Sequence, residues 1–256
     1  MKTPIVMVAF GTTSKAISTY ERIDEKIRNQ FPDYEILWSF SSRRITDALQ
    51  WRENSKIQHP QHPKELLDSL AGKGHKHAIV QSLHLFPGTD FHNLSETVNK
   101  ATLSCSLGTP IICSPKDYLD ICNILSQVIT CEPQKATLVL GHGTDHPSWT
   151  AYYCLQTYLR RQFGSQIYVG VVEKYPDSNH LVDEILSSGF EEINIIPLFF
   201  IAGMHFKRDI IGESDQSWQS RFHQKGIRTN IGCQGLGMLE GVEDIITNHI
   251  KSAIKQ

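Results

Sequence analysis

The sequence predicts an α/β protein made of two similar, doubly wound parallel-sheet lobes, and three observations carry this. Eight short apolar runs alternate with longer amphipathic stretches from one end of the 256-residue chain to the other. The runs are nearly continuous in apolar character rather than alternating with polar residues, which suits strands covered on both faces. Matching strings also recur in the same order in the two halves, as an internal duplication would leave them.

In the first half, IVMVAF (5–10) reads as a strand that ends in the turn Gly11-Thr12-Thr13-Ser14 and leads into a helix over 16–29. EILWSF (35–40) is the second strand, and helical spacing over 64–72 precedes the third, HAIVQSLHLF (77–86). A helix over 91–103, a fourth strand PIICS (110–114) and a helix over 116–129 complete this half. The second half repeats the order with strands TLVLG (137–141), IYVGVV (167–172), INIIPLFF (193–200) and IRTNIG (227–232), and helices over 148–162, 179–188 and 215–224. A repeating βα order with short connections implies a parallel sheet. The last segment places Leu239, Val242, Ile245, Ile246, Ile250 and Ile254 at helical spacing, so it closes the structure as a helix. The expected division is 1–130 for the first lobe, with 239–256 packing back on it, and 131–238 for the second.

The duplication is read from two matches. Val6-Met7-Val8-Ala9-Phe10-Gly11-Thr12 corresponds to Leu138-Val139-Leu140-Gly141-His142-Gly143-Thr144, and Leu83…Gly88-Thr89-Asp90-Phe91 corresponds to Leu198…Gly203-Met204-His205-Phe206. On this alignment the first-half counterparts of His142, Glu173 and His205 are Phe10, Ser41 and Asp90.

Composition narrows the function classes. A formal charge of −2 leaves no polybasic footprint for nucleic acid or an anionic membrane. The opening MKTPIVMVAFGTTSK has the form of a first strand rather than a signal peptide, and no run reaches the roughly 18 apolar residues of a membrane span. A cytoplasmic protein is expected. The six cysteines form no C-x-x-C pair and mostly lie in apolar segments, so buried reduced thiols are expected. His59, His62, His75 and His77 read as solvated loop side chains. The sequence contains no G-x-S-x-G, H-E-x-x-H or G-x-x-x-x-G-K-[ST] motif, against α/β-hydrolase, zincin and P-loop chemistry. Gly235-Leu236-Gly237 lacks the third glycine of a dinucleotide fingerprint and reads as a tight entry to the last helix.

The chemistry-bearing residues sit at strand ends. His142 follows TLVL as Gly141-His142-Gly143, Glu173 follows IYVGVV, and His205 follows INIIPLFFIAG. Parallel strands end at one sheet edge, where α/β proteins bind their ligands. Two imidazoles and a carboxylate there suit a divalent ion with coordination positions left open; Co2+, Fe2+, Ni2+ and Zn2+ all fit the donor set. Taken singly, each has a bland alternative: a capping histidine in a βα turn, or a solvated carboxylate. Arg43-Arg44 and Lys207-Arg208 form two short basic elements suited to substrate carboxylates or, equally, to solvated helix starts. His146 is read as a residue supporting the ligands or contacting substrate or, equally, as a surface histidine.

At these residues the chain resembles the anaerobic cobaltochelatases, the class II sirohydrochlorin cobalt chelatases. The resemblance spans nearly the whole length. It rests on the opening V-A-F-G-T, Q-S-L-H-L-F-P-G (81–88), G-H-G (141–143), V-E-K-Y-P (172–176), A-G-M-H-F-K-R-D-I (202–210), the stretch from Gly212 to Trp218, and Gly235-Leu236-Gly237. It implies two α/β halves with a tetrapyrrole cleft between them, and metal ligation by His142, Glu173 and His205, which are then also the catalytic residues. It further implies a tetrapyrrole substrate in contact with Phe10, Gly11, Thr12, Ser41, Arg43, Asp90, His146, Lys207 and Arg208. The chain departs from the family at Thr89-Asp90, where two acidic residues are common, which leaves Asp90 to act alone.

The function expected on this basis is ATP-independent insertion of Co2+ into sirohydrochlorin or a closely related tetrapyrrole, a lyase step of anaerobic cobalamin biosynthesis. The metal is substrate, no nucleotide is used, and neither nucleic acid nor membrane is a partner; a homo-oligomer is compatible. The alternatives are a ferrochelatase or nickel chelatase on a related ring, a bilobed metal- or haem-binding protein without turnover, and a metal-dependent hydrolase.

Overall fold

The computed structural model describes residues 2–49, 57, 60–204 and 206–256. Two four-stranded sheets are present, every strand parallel to its neighbours. The first is built from β1 (Pro4–Ala9), β2 (Glu35–Phe40), β3 (His77–Ser82) and β4 (Ser104–Gly108), in the order β2-β1-β3-β4. The second is built from β5 (Lys135–Gly141), β6 (Ile167–Val171), β7 (Glu192–Pro197) and β8 (Arg228–Ile231), in the order β6-β5-β7-β8. The two orders are the same, so the duplication read from the sequence is also a duplication of topology.

Backbone hydrogen bonds align the copies residue by residue. Leu83 N–H donates to Val8 O at 2.8 Å, and Leu198 N–H donates to Leu140 O at 2.7 Å. Ile111 and Ile112 donate to His84 O and Leu85 O, as Leu236 and Gly237 donate to Phe199 O and Phe200 O. One expected correspondence shifts. Ser42 N–H donates to Phe10 O at 3.3 Å in the first copy, and Glu173 N–H donates to His142 O at 3.1 Å in the second. The positional counterpart of Glu173 is therefore Ser42, and Ser41 corresponds to Val172.

The fourth strand also differs from expectation. It lies at Ser104–Gly108, and the PIICS run follows it as a loop. As an edge strand it is only partly buried and needs no continuous apolar run, whereas Ile111 and Ile112 are fully buried without belonging to the ladder.

Helices α1 (Ile17–Gln30), α2 (Arg43–Leu49), α3 (Pro63–Gly72) and α4 (Thr89–Asn99) belong to the first half, and α2 is one that apolar spacing did not announce. Helices α6 (Thr150–Phe163), α7 (Leu181–Ser187) and α8 (Trp218–Gln224) belong to the second. One face of the first sheet buries Val6, Val8 and Val80 under Leu67 and Leu70 of α3 and Leu94 of α4. The matching face of the second buries Leu138, Leu140 and Ile195 under Ile185 of α7 and Trp218 and Phe222 of α8. Each fully buried Leu or Ile contributes roughly 1.5–3 kcal/mol relative to exposure.

The chain divides into a unit of Met1–Cys113 with Glu240–Gln256 and a unit of Ser114–Leu239. The first boundary thus falls before helix α5 (Pro115–Leu125) rather than at 130. Ser114 and Asp117 form a capping box that starts α5, and Tyr118 stacks on Tyr158 of α6 at 5.2 Å, which fastens this helix to the second unit. The closing helix α9 (Val242–Ile254) belongs to the first unit, where it packs on α1, β3 and β4 and Glu243 pairs with Arg22 at 3.2 Å.

Of the six cysteines only Cys122 is buried, and Cys113, Cys131, Cys154 and Cys233 are exposed; all six are free thiols. The expectation of mostly buried cysteines fails because these four stand in loops and on the solvent face of α6. His62 and His77 also depart from the solvated reading. His62 N-caps α3 and is half-buried, and His77 opens β3 with Nδ1 3.3 Å from Ser104 Oγ. His59 lies outside the described residues. Among the described residues, no helix is long and apolar enough to cross a membrane.

Candidate metal-binding site

Strands β5 and β6 end side by side, Gly141 opposite Val171. The ladder runs two rungs further, with Val172 N–H donating to Gly141 O at 2.9 Å and Glu173 N–H to His142 O at 3.1 Å. His142 and Glu173 are thus held on adjacent backbones at the C-terminal edge of the sheet. Gly143 allows that approach. It has φ +92°, and a Cβ there would lie 1.7 Å from the Glu173 carbonyl oxygen, so only glycine fits. Its N–H donates to the Tyr152 hydroxyl at 3.0 Å, a contact between the His142 loop and helix α6. Burial pushes the Tyr152 phenol up to about 12, against the opposing effect of its hydrogen bonds with Gly143 and His142.

The side-chain geometry suits a shared cation. His142 Nε2 stands 3.5 Å from Glu173 Oε1, with the two side chains 42% and 40% exposed. His142 Nδ1 is 3.1 Å from Gly143 O; a carbonyl only accepts, so in the neutral ring Nδ1 carries the hydrogen and the lone pair is left on Nε2, the nitrogen that faces Glu173. The 3.5 Å gap is less than twice the usual ~2.0–2.2 Å ligand distance, so both atoms could reach one divalent ion. Among the described residues, no group of three His, Cys, Asp or Glu side chains gathers around one point. His205, the third expected ligand, lies outside the described residues.

Other expected residues are placed as follows. Lys207 and Arg208 are exposed on a π-turn, Phe206–Ile210. Arg208 grips Asp209 through Nε at 2.6 Å and a second nitrogen at 2.9 Å. Asp209 first, and Glu173 at longer range, raise the pKa of that guanidinium. Its charge is therefore already partly answered within the loop. His146 caps a short 3-10 turn, its Nδ1 accepting Ser148 N–H at 3.1 Å. Asp145 pairs with Lys174 at 3.1 Å.

In the first unit Phe10 is 53% exposed at the position corresponding to His142. Gly11, φ +96°, passes so close to the Phe40 ring that a Cβ would fall 2.7 Å from it. Thr12 is buried and accepts Ser14 N–H at 3.1 Å, the work of a turn residue. Arg43 pairs with Glu65 at 3.0 Å, and Asp90 is exposed in the first turn of α4. Ser41 Oγ lies 3.5 Å from His84 Nε2, whose Nδ1 is 3.0 Å from Ser82 Oγ. Burial lowers the His84 pKa while the Asp90 charge opposes it.

Sequence reasoning missed His84, which sits inside an apolar run, and Tyr175, which is exposed two residues beyond Glu173. The signal for Tyr175 was an aromatic residue outside any periodic pattern, next to an expected ligand. His84 was visible only as one histidine within Q-S-L-H-L-F-P-G, since Ser41 and Asp90, which face it with Ser82, arrive from the end of β2 and from α4.

Comparison with known proteins agrees with this architecture. The family model described as Cobalt chelatase (CbiK) matches residues 3–255. A sirohydrochlorin cobaltochelatase of Salmonella typhimurium is 28% identical, over 99% of this chain and 97% of its own. The sirohydrochlorin cobaltochelatase CbiKC of Nitratidesulfovibrio vulgaris is 26% identical, over 99% and 91%. Among solved structures, SirB from Bacillus subtilis with Fe3+ shares the fold at a TM-score of 0.65 and 15% identity, covering 99% of this chain and 96% of that one. With a family model matched over nearly every residue and two parallel sheets of the same strand order, the chain belongs to the cobalt chelatase (CbiK) family.

Proposed function

We propose that this protein inserts Co2+ into sirohydrochlorin or a closely related tetrapyrrole without ATP, a step of anaerobic cobalamin biosynthesis. The observation that carries the reading is the His142–Glu173 pair, 3.5 Å apart and solvent-accessible at the C-terminal edge of the second sheet. The names of the two full-length relatives supply the substrate class.

Insertion needs a partly dehydrated M2+, four ring nitrogens whose lone pairs reach it, and acceptors for two N–H protons. His142 Nε2 and a Glu173 oxygen, with His205 as the proposed third ligand, hold the ion on one side and leave its other positions for the ring. As nitrogen–metal bonds form, each pyrrole N–H bond breaks with its electron pair left on nitrogen, and the proton passes to a neutral imidazole, a carboxylate or water. Phe10, Gly11, Thr12, Ser41 and Asp90 at the first sheet's edge, and His146, Lys207, Arg208 and Arg43, are the proposed substrate contacts. Lys207 is the favoured partner for a peripheral carboxylate, because Arg208 and Arg43 each already hold an acidic side chain.

The test is insertion followed by the absorbance change of the tetrapyrrole, with Co2+, Fe2+ and Ni2+ in parallel and no nucleotide. Fastest turnover with Co2+ is expected. Stoichiometric metal retention without turnover would sink the enzyme reading in favour of a binding protein, and faster Fe2+ or Ni2+ insertion would reassign the metal.

A further inference from the structure

Tyr175 is the feature at this site that ligation leaves unused. Its ring is 55% exposed, although it stands two residues after Glu173. Among the described residues it stacks on no other aromatic, in contrast to Tyr153, which meets Trp149 edge-on, and Tyr118, which stacks on Tyr158. The backbone beneath it is tied down on both sides. Tyr175 O accepts Thr144 N–H at 3.1 Å in an isolated antiparallel bridge to the His142 loop. Lys174 pairs with Asp145 across the same two loops at 3.1 Å. Beyond the ring, Ser178 Oγ donates to Pro176 O and accepts Val171 N–H, both at 3.0 Å, which pins the loop to the end of β6. A second large apolar side chain, Met204, stands 68% exposed in the loop after β7, the strand that pairs with β5.

An exposed aromatic ring on a mobile loop is ordinary, but this one is on backbone held at several points. Such a ring loses little conformational freedom on binding, so its apolar area goes into affinity. Its neutral, flat face suits a flat, electron-rich ring and offers nothing to a small anion.

We propose that Tyr175 is a substrate-positioning residue, its ring carrying one face of the macrocycle and setting that ring's place relative to an ion at His142 and Glu173. This rests on the chelatase reading and adds to it a residue with no role in metal ligation. No covalent step is involved. The phenol ring acts by contact, and its hydroxyl is not required.

The experiment separates ring binding from metal binding. Metal-free sirohydrochlorin is titrated into the full chain by absorbance, Co2+ alone is titrated separately, and insertion kinetics are recorded for the parent, Tyr175→Ala and Tyr175→Phe. For Tyr175→Ala a roughly tenfold weaker macrocycle affinity and a matching rise in KM are expected, with kcat changed less than about threefold, as for loss of binding common to ground and transition states. Tyr175→Phe should match the parent, and Co2+ affinity should be the same in all three. Parental macrocycle affinity in Tyr175→Ala overturns the proposal, as does a Tyr175→Phe defect equal to that of alanine. A change in oligomeric state with Tyr175→Ala and no change in ring affinity overturns it in favour of a contact with a second copy of the chain. A parent chain that binds Co2+ but no macrocycle refutes the chelatase reading itself, an outcome distinct from the other three.

Discussion

The Gly143 N–H donates to the Tyr152 hydroxyl at 3.0 Å, and the same pairing recurs between Gly11 and Tyr20 in the other sheet's first loop. Both glycines have positive φ, +92° and +96°, and both tyrosine rings are buried. Each copy of the duplicated unit thus uses the first helix after its leading strand to satisfy a backbone donor in the loop at that strand's end. In the second copy the loop so held presents His142.

Tyr152→Phe removes that acceptor and leaves a buried N–H without its partner. A loss of about 1–3 kcal/mol in unfolding free energy is expected from denaturant titration. Insertion should slow by more than the stability change accounts for at temperatures where the variant is fully folded, because the His142 loop loses its anchor. An unchanged insertion rate in the folded variant would show that the anchor does not position His142.

Gly143→Ala meets both a positive φ and the Glu173 carbonyl at 1.7 Å from the new Cβ. Gly189, φ +79°, makes a control, since a Cβ there has nothing within 4 Å. Gly189→Ala should cost about 1 kcal/mol from backbone strain alone and leave insertion intact. Gly143→Ala should cost about 3 kcal/mol or more and abolish insertion. Equal melting temperatures for the two variants would mean that the loop moves aside at little cost.

His142→Ala and Glu173→Gln should each lower Co2+ insertion at least about a hundredfold, more than the usual loss on removing a residue behind a ligand. Melting temperatures should stay within a few degrees of the parent, since both side chains are well exposed. The readout is the tetrapyrrole spectrum under single-turnover conditions. Near-parental rates in both variants would remove the pair from the site.

His84 gives a pH signature in stability. Burial lowers its folded-state pKa below the ordinary 6.5, and the Asp90 charge offsets part of that. A histidine with a depressed folded pKa binds more protons unfolded than folded, so its contribution is fully present above the unfolded value and is lost as pH falls through 6.5 toward the folded pKa. The parent should lose stability more steeply than His84→Gln over that window. Parallel curves would mean that His84 titrates alike in both states. Asp90→Asn should steepen the loss further, because the charge that favours the protonated imidazole is gone.

Much of the fold was legible in the chain because buried parallel strands need continuous apolar runs, and seven of the eight runs fall on strands. The eighth misled because Ile111 and Ile112 are buried by packing rather than by the ladder. His142 and Glu173 were legible as polar residues directly after such runs. Helix α2 was not, since its seven residues bury only Thr46 and Leu49.

By itself the sequence determined the alternation of strands and helices, the repeat that makes the two sheets alike, and the placing of His142 and Glu173 at strand ends. Those are local properties: apolar period, glycine position, and the order of residues along one chain. The tertiary structure decided what depends on partners far apart in sequence. Strand order, the one-residue shift that aligns Glu173 with Ser42, and the assignment of α5 to the second unit all follow from long-range hydrogen bonds and packing. The 3.5 Å between His142 and Glu173 belongs to the same class, because it exists only where Gly143 lets two strand ends meet.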